Sequence, residues 1–124
     1  MTGEDPGLDG DDGSALLPLR LSTSLVTHDH VHLAVAGQID LANIGPLRES
    51  MTGLLHDPEL RALTVDLAGV SFIGSTGIRV LVAAHRLALA MQVDFAVTNC
   101  RPRVLQVLEI TGVDKALIYG APPS

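Results

Sequence analysis

The sequence predicts an α/β domain with elements in the order β-β-α-β-α-β-α-β, and three observations lead there. Its 124 residues are 47% apolar yet include only two Phe, one Tyr and no Trp, so the core is built from aliphatic side chains. Short runs that alternate apolar and polar residues, the period of a strand with one buried face, recur along the chain. Between them lie longer Ala- and Leu-rich segments with few turn residues, which favour helix. Repeated β-α-β steps require largely parallel pairing, with an antiparallel hairpin at the start.

Taken in order, residues 1–18 carry five acids, four glycines and two prolines with few large apolar groups. Such a segment buries too little surface to offset its ordering entropy and is expected to be a disordered acidic tail. Leu19 to Thr27 and Val31 to Gln38 read as two strands joined by the polar turn Thr27-His28-Asp29-His30, with Val31, Leu33 and Val35 on the core face. Asn43 caps a helix whose first turn accepts Gly45 and Pro46. Ile44, Leu47, Met51, Leu54 and Leu55 give that helix its buried stripe, and His56-Asp57-Pro58 ends it.

A strand over Ala62 to Leu67 follows, then a small-residue connection with Gly69, Gly74, Ser75, Thr76 and Gly77, then a helix to about Met91. Val93, Phe95 and Val97 alternate into another strand. A helix starting at Asn99 or Cys100 takes Pro102 in its first turn, buries Val104, Leu105, Leu108 and Thr111, and stops at Gly112. Ala116 to Tyr119 reads as a short last strand. The one domain spans 19–120, and 121–124 form a loose end.

The formal net charge is −6, but Glu4, Asp5, Asp9, Asp11 and Asp12 account for most of it, so the domain itself is near neutral. That balance gives no support to nucleic-acid binding. One cysteine, Cys100, rules out an internal disulfide framework and fits a reducing compartment. There is no membrane-length apolar run and no signal-like start, so the expectation is a cytoplasmic protein without membrane insertion.

The connection before the central helix is the main candidate for function. Ser75 or Thr76 is the expected N-cap, its hydroxyl facing the free amides of the first turn. An anion is well received there, and a phosphate would present nearly two units of new charge to a docked protein. The plain alternative is a capping serine. Hydrolytic chemistry fits poorly: Ser75 has Gly77 two residues after it but Ile73 two residues before it, which breaks the nucleophile-elbow pattern. Gly74-Ser75-Thr76-Gly77 also lacks the Lys-Ser/Thr ending of a phosphate-binding P-loop.

His28, His30 and His32 share a period of two, but the first two fall in the expected turn and no further ligand is spaced to complete a zinc site. No metal and no cofactor is expected. His85 reads as a packed core histidine. Cys100, at a helix start whose dipole can lower its pKa, has no second thiol to resolve it and reads as structural. Arg101 and Arg103 make a small basic spot, solvated or, in the alternative, a contact for an acidic partner.

Three stretches, Gly37-Gln38-Ile39-Asp40, Asp66 to Gly77 and Arg103 to Gly112, in this order and spacing resemble a bacterial STAS domain of the anti-sigma factor antagonist family. The resemblance implies a STAS-type mixed sheet covered on one side by helices. It also implies binding without catalysis. An unphosphorylated antagonist binds an anti-sigma factor of serine-kinase type and frees its sigma factor. That kinase phosphorylates a serine at the start of the central helix, and a metal-dependent serine phosphatase reverses the step.

Carried across, Ser75 falls on the phosphoacceptor, with Thr76 as the secondary candidate. The implied partner surface comprises Asp40, Gly74, Ser75, Thr76, Gly77 and Ile78. The chain departs from the family pattern at Gly74, where many switchable members carry Asp. Losing that carboxylate affects kinase recognition or loop conformation, or leaves a protein that binds without a phosphorylation cycle. The alternative reading is a STAS module serving a transporter or a signalling scaffold, since a fold does not fix a function. A small enzyme using Ser75 or a histidine metal site is the third.

Overall fold

The computed structural model describes residues 18–119. The expected tail and the loose end at 121–124 lie outside the described residues, apart from Pro18. The first alternating runs form β1 (Arg20–Thr27) and β2 (His30–Ile39), an antiparallel hairpin with Leu21 opposite Val35 and Leu25 opposite Val31. The turn between them is shorter than expected, because His30 already belongs to β2. After α1 (Ile44–Leu55) comes β3 (Ala62–Ile73), parallel to β2, then α2 (Ser75–Met91) and β4 (Asp94–Thr98), parallel to β3. The sheet order is β1-β2-β3-β4, with α3 (Pro102–Ile110) and α4 (Asp114–Tyr119) completing the described chain.

Further boundaries differ from the sequence reading: the helix expected from Asn99 or Cys100 starts at Pro102, with Arg101 as its N-cap. β3 continues past Leu67 to Ile73, because a register shift opposite Ala34 to Ala36 absorbs Ala68 and lets Gly69 pair with Ala36. A Cβ at residue 69 would stand 2.7 Å from the Ala36 Cβ, so glycine permits this close pairing. The run expected as a last strand, Ala116 to Tyr119, is helical within α4. Four apolar residues cannot by themselves declare a strand. Here the Leu117 amide donates to the Val113 carbonyl at 3.0 Å, an i to i−4 helical bond, and Leu117 is fully buried in a helix begun by Asp114.

The helices pack on one face of the mixed sheet. Leu33, Val35, Leu63, Val65, Leu67, Phe95 and Val97 point to that side and are all buried. From α1, Ile44, Leu47, Met51 and Leu55 meet them, and α2 adds Leu81, Ala84, His85 and Ala88. The alternate residues His30, His32, Ala34, Thr64, Asp66, Ala96 and Thr98 face the other way and are half-buried. Because β2 and β3 run parallel and each feeds a helix, α1 and α2 start at the same end of the sheet. That end carries the candidate site.

Candidate functional site

The connection from β3 to α2 is a single residue. Gly74 is extended, at φ −91 and ψ 177, and occupies the N-cap position with no side chain to offer the first-turn amides. Ser75 is the first helical residue and Thr76 the second, so the expectation that either caps the helix is corrected. The cause is the length of β3, which carries the chain one residue from the helix before it turns. The positive field of the helix start is therefore not quenched by a cap at residue 74, and the Ser75 side chain is exposed beside it.

A second loop lies alongside. The Gly74 amide donates to the Ile39 carbonyl at 2.9 Å, continuing the β2–β3 pairing one step beyond Ile73. Asp40 follows directly. Its Oδ1 accepts from the Ala42 amide at 3.0 Å, while its own amide donates to Asn43 Oδ1 at 3.0 Å. Asn43 also donates through Nδ2 to the Gln38 carbonyl at 2.6 Å. Asn43 stands at the N-cap of α1 as the sequence predicts, but its side chain braces the preceding turn and makes no cap bond. The half-buried Asp40 carboxylate thus sits in a turn held by its own hydrogen bonds.

Glycine at 77 seats the helix start. A Cβ there would stand 2.6 Å from Ile39 Cγ2 and 2.8 Å from Ile73 Cγ1, so α2 rests against the ends of β2 and β3 at a distance open only to glycine. Gly77 and the 8% exposed Ile78 are core residues. Both were expected on the partner surface; they hold the loop in place and add little contact area. What sequence reasoning missed is apolar: Leu41 is 75% exposed and Phe72 is 44% exposed. Phe72 carbons lie 3.6 Å from where a Cβ of residue 74 would stand, so its ring borders the Ser75 loop. The signal was present in the sequence, since Phe72 precedes the core residue Ile73 and its side chain points to the opposite side of the strand.

The other candidates separate from this site. His28 is exposed in the hairpin turn, 3.6 Å from Asp29. His30 Nε2 meets Thr64 Oγ1 at 2.8 Å and His32 Nε2 meets Asp66 Oδ2 at 3.0 Å on the half-buried sheet face. Among the described residues, no group of three or more His, Cys, Asp or Glu is placed to hold a metal ion.

Burial alone would raise the Asp66 carboxyl pKa. Hydrogen bonds from the Ala68 amide, Asn99 and His32 outweigh burial and hold it below the ordinary value. Burial and the negative charge of Asp66 push the Cys100 thiol up, the opposite of the lowering a helix start can bring. His85 is 2% exposed and lies 6.1 Å from the Phe95 ring centre. Arg101 is tied by its Nε to the Ala68 carbonyl at 2.7 Å, while Arg103 is exposed.

Comparison with known proteins matches residues 23–121 to the STAS domain family model. An anti-sigma-B factor antagonist of Listeria monocytogenes is 31% identical over 85 residues, which are 68% of this chain and 74% of the relative. The anti-sigma-F factor antagonist RsfB of Mycobacterium tuberculosis is 28% identical over 99 residues, covering 79% of this chain and 80% of its own. Among solved structures, an anti-sigma factor antagonist from Mycobacterium paratuberculosis superposes with a TM-score of 0.68 at 26% identity, over 80% of this chain and 82% of that one. Among the described residues no helix is long and apolar enough to cross a membrane. The chain belongs to the STAS domain family, and the relatives it resembles are anti-sigma factor antagonists.

Proposed function

We propose that this protein is an anti-sigma factor antagonist that binds an anti-sigma factor of serine-kinase type, frees the sigma factor held there, and is released when Ser75 is phosphorylated. The observation that carries the reading is the exposed Ser75 hydroxyl at the first residue of α2, bordered by the Phe72 ring and joined through Gly74 to the Asp40 turn. The relatives' names support an anti-sigma factor as the partner. Thr76 is the secondary acceptor; it is half-buried where Ser75 is exposed.

The physics of release is simple. A partner seated here covers apolar groups such as Leu41 and Phe72. A phosphoryl group on Ser75 adds about −2 of charge within that contact. A dianion enclosed without a cation loses several kcal/mol of solvation, and about 1.4 kcal/mol already means tenfold weaker binding. The helix start receives the same phosphate in the free and the bound protein alike, so release rests on the solvation lost at the contact. A metal-dependent serine phosphatase would restore the binding form.

Gly74 leaves room for this chemistry, because a Cβ there would make only ordinary contacts, the nearest at 3.6 Å. The test is incubation with candidate kinase-type anti-sigma factors and ATP, followed by mass spectrometry of the Ser71 to Arg79 peptide. A single phosphate on Ser75, absent in Ser75→Ala, is the expected result. Stable complexes with no modification of that peptide would reduce the protein to a binder without a phosphorylation cycle.

A further inference from the structure

α1 and α2 leave a cleft of about 430 Å³ between them, and it opens beside the Ser75 loop. Along α2 it is lined by Thr76, Arg79, Val80, Ala83, Ala84 and Leu87, the spacing i, i+3, i+4, i+7, i+8, i+11 of one helical stripe. That stripe runs about 16 Å along the axis, or three turns. Across from it stand Met51 and Thr52 of α1, and Leu41 closes the end nearest Ser75. Small side chains at 83 and 84 leave the middle of the groove open enough for the backbone of another helix to approach.

Its charge is one-sided. Arg48 and Arg79 both line the cleft, each in the second turn of its helix and so toward the Ser75 end. Both are exposed, and among the described residues neither is engaged in an ion pair. Among the described residues no acidic side chain lines the cleft. An apolar groove of helical period with two arginines at one end fits an amphipathic helix whose apolar face carries carboxylates at its margin.

We infer that the α1–α2 groove is a docking site for an acidic amphipathic helix of the protein partner, with Arg48 and Arg79 as its charge anchors. This deepens the reading of Ser75 and rests on it for the identity of the partner. Ser75 is four residues before Arg79, so the two are neighbours on the helix surface. A phosphoryl group on Ser75 pairs with the Arg79 guanidinium and takes it from the partner's carboxylate. Release then comes from competition for one cation, together with the part of the phosphate's charge that a single guanidinium leaves uncompensated.

The test uses a helix-forming Leu/Ala/Glu peptide and a twin with every Glu replaced by Lys, each titrated into isotope-labelled protein while backbone amide shifts are followed. The expected result is saturable shifts at 48, 51, 79 and 83, with at least tenfold weaker binding of the Lys twin. The double variant Arg48→Glu/Arg79→Glu should invert that preference, and Ala83→Trp should fill the groove and abolish both responses. No saturable shift at millimolar Glu peptide, equal binding of the twins, or full affinity in Ala83→Trp would overturn the inference. Saturation of the same amides by dodecanoate with none by the peptide would also overturn it and make the cleft a site for small anionic amphiphiles. A normal peptide response with no effect of Ser75→Asp on the anti-sigma complex would instead refute the Ser75 reading and leave the groove standing.

Discussion

Replacing Gly77 by Ala should destabilise the domain, although Ala is the better helix former. The added Cβ would stand 2.6 Å from Ile39 Cγ2 and 2.8 Å from Ile73 Cγ1. Carbon contacts settle near about 3.5–4.0 Å, so roughly 1 Å of separation must be found. Neither isoleucine can retreat, since they are 0% and 2% exposed and packed in the core. Overpacking of this kind costs about 1–3 kcal/mol, against a helix-propensity gain of about 1 kcal/mol at most. The expected net loss is about 1–2 kcal/mol, or a fall in Tm of roughly 5–10 °C.

Gly53→Ala is the matched control. It makes the same chemical change at an exposed position of α1, where nothing lies within 4 Å of the new Cβ. It should gain up to about 1 kcal/mol. Urea denaturation and thermal melts of both variants measure the contrast. A Gly77→Ala protein that melts at or above the parent would refute the claim that close seating of α2 on the strand ends fixes the Ser75 loop.

Three further outcomes follow from the same geometry. Gly74→Asp should fold normally and gain about 0.5 kcal/mol in thermal melts, because it supplies the missing N-cap side chain at a residue already extended. Asp66→Asn should lower stability at neutral pH by about 1–2 kcal/mol and flatten the acid limb of a stability–pH profile from urea midpoints. The sign follows from a folded-state pKa held below the unfolded value of about 4: its contribution is complete above that value and is lost as pH falls through the folded one. Leu41→Ala should leave the melt within about 0.5 kcal/mol of the parent, since the side chain is 75% exposed. It should weaken anti-sigma binding about fivefold in calorimetric titration, as expected for lost apolar burial of about 1 kcal/mol.

Much of this was legible in the sequence because one face of each element is buried. The stripe Ile44, Leu47, Met51, Leu54, Leu55 and the alternation Val31, Leu33, Val35 are periodic signals, and α1 and β2 follow them, with only Leu54 left half-buried. Gly112, expected just beyond the end of its helix, has φ +77. The helical start of the site was legible too, but not its details. Ser75 is displaced from the cap position because β3 runs six residues past Leu67, and that extension depends on pairing with β2. Short apolar runs such as Ala116 to Tyr119 carry too few residues to distinguish periods.

Features made by register stayed hidden for the same reason. His32 finds Asp66 only because β2 and β3 lie side by side. Arg48 and Arg79 share a cleft only because both preceding strands deliver their helices to one end of the sheet.

The central claim is that one dianion at Ser75 ejects a bound protein. Isothermal titration of the parent, Ser75→Ala and Ser75→Asp against a kinase-type anti-sigma factor without ATP tests it most directly. The account predicts equal affinity for parent and Ser75→Ala, and a loss of tenfold or more for Ser75→Asp, about 1.4 kcal/mol. The same affinity for all three would contradict it.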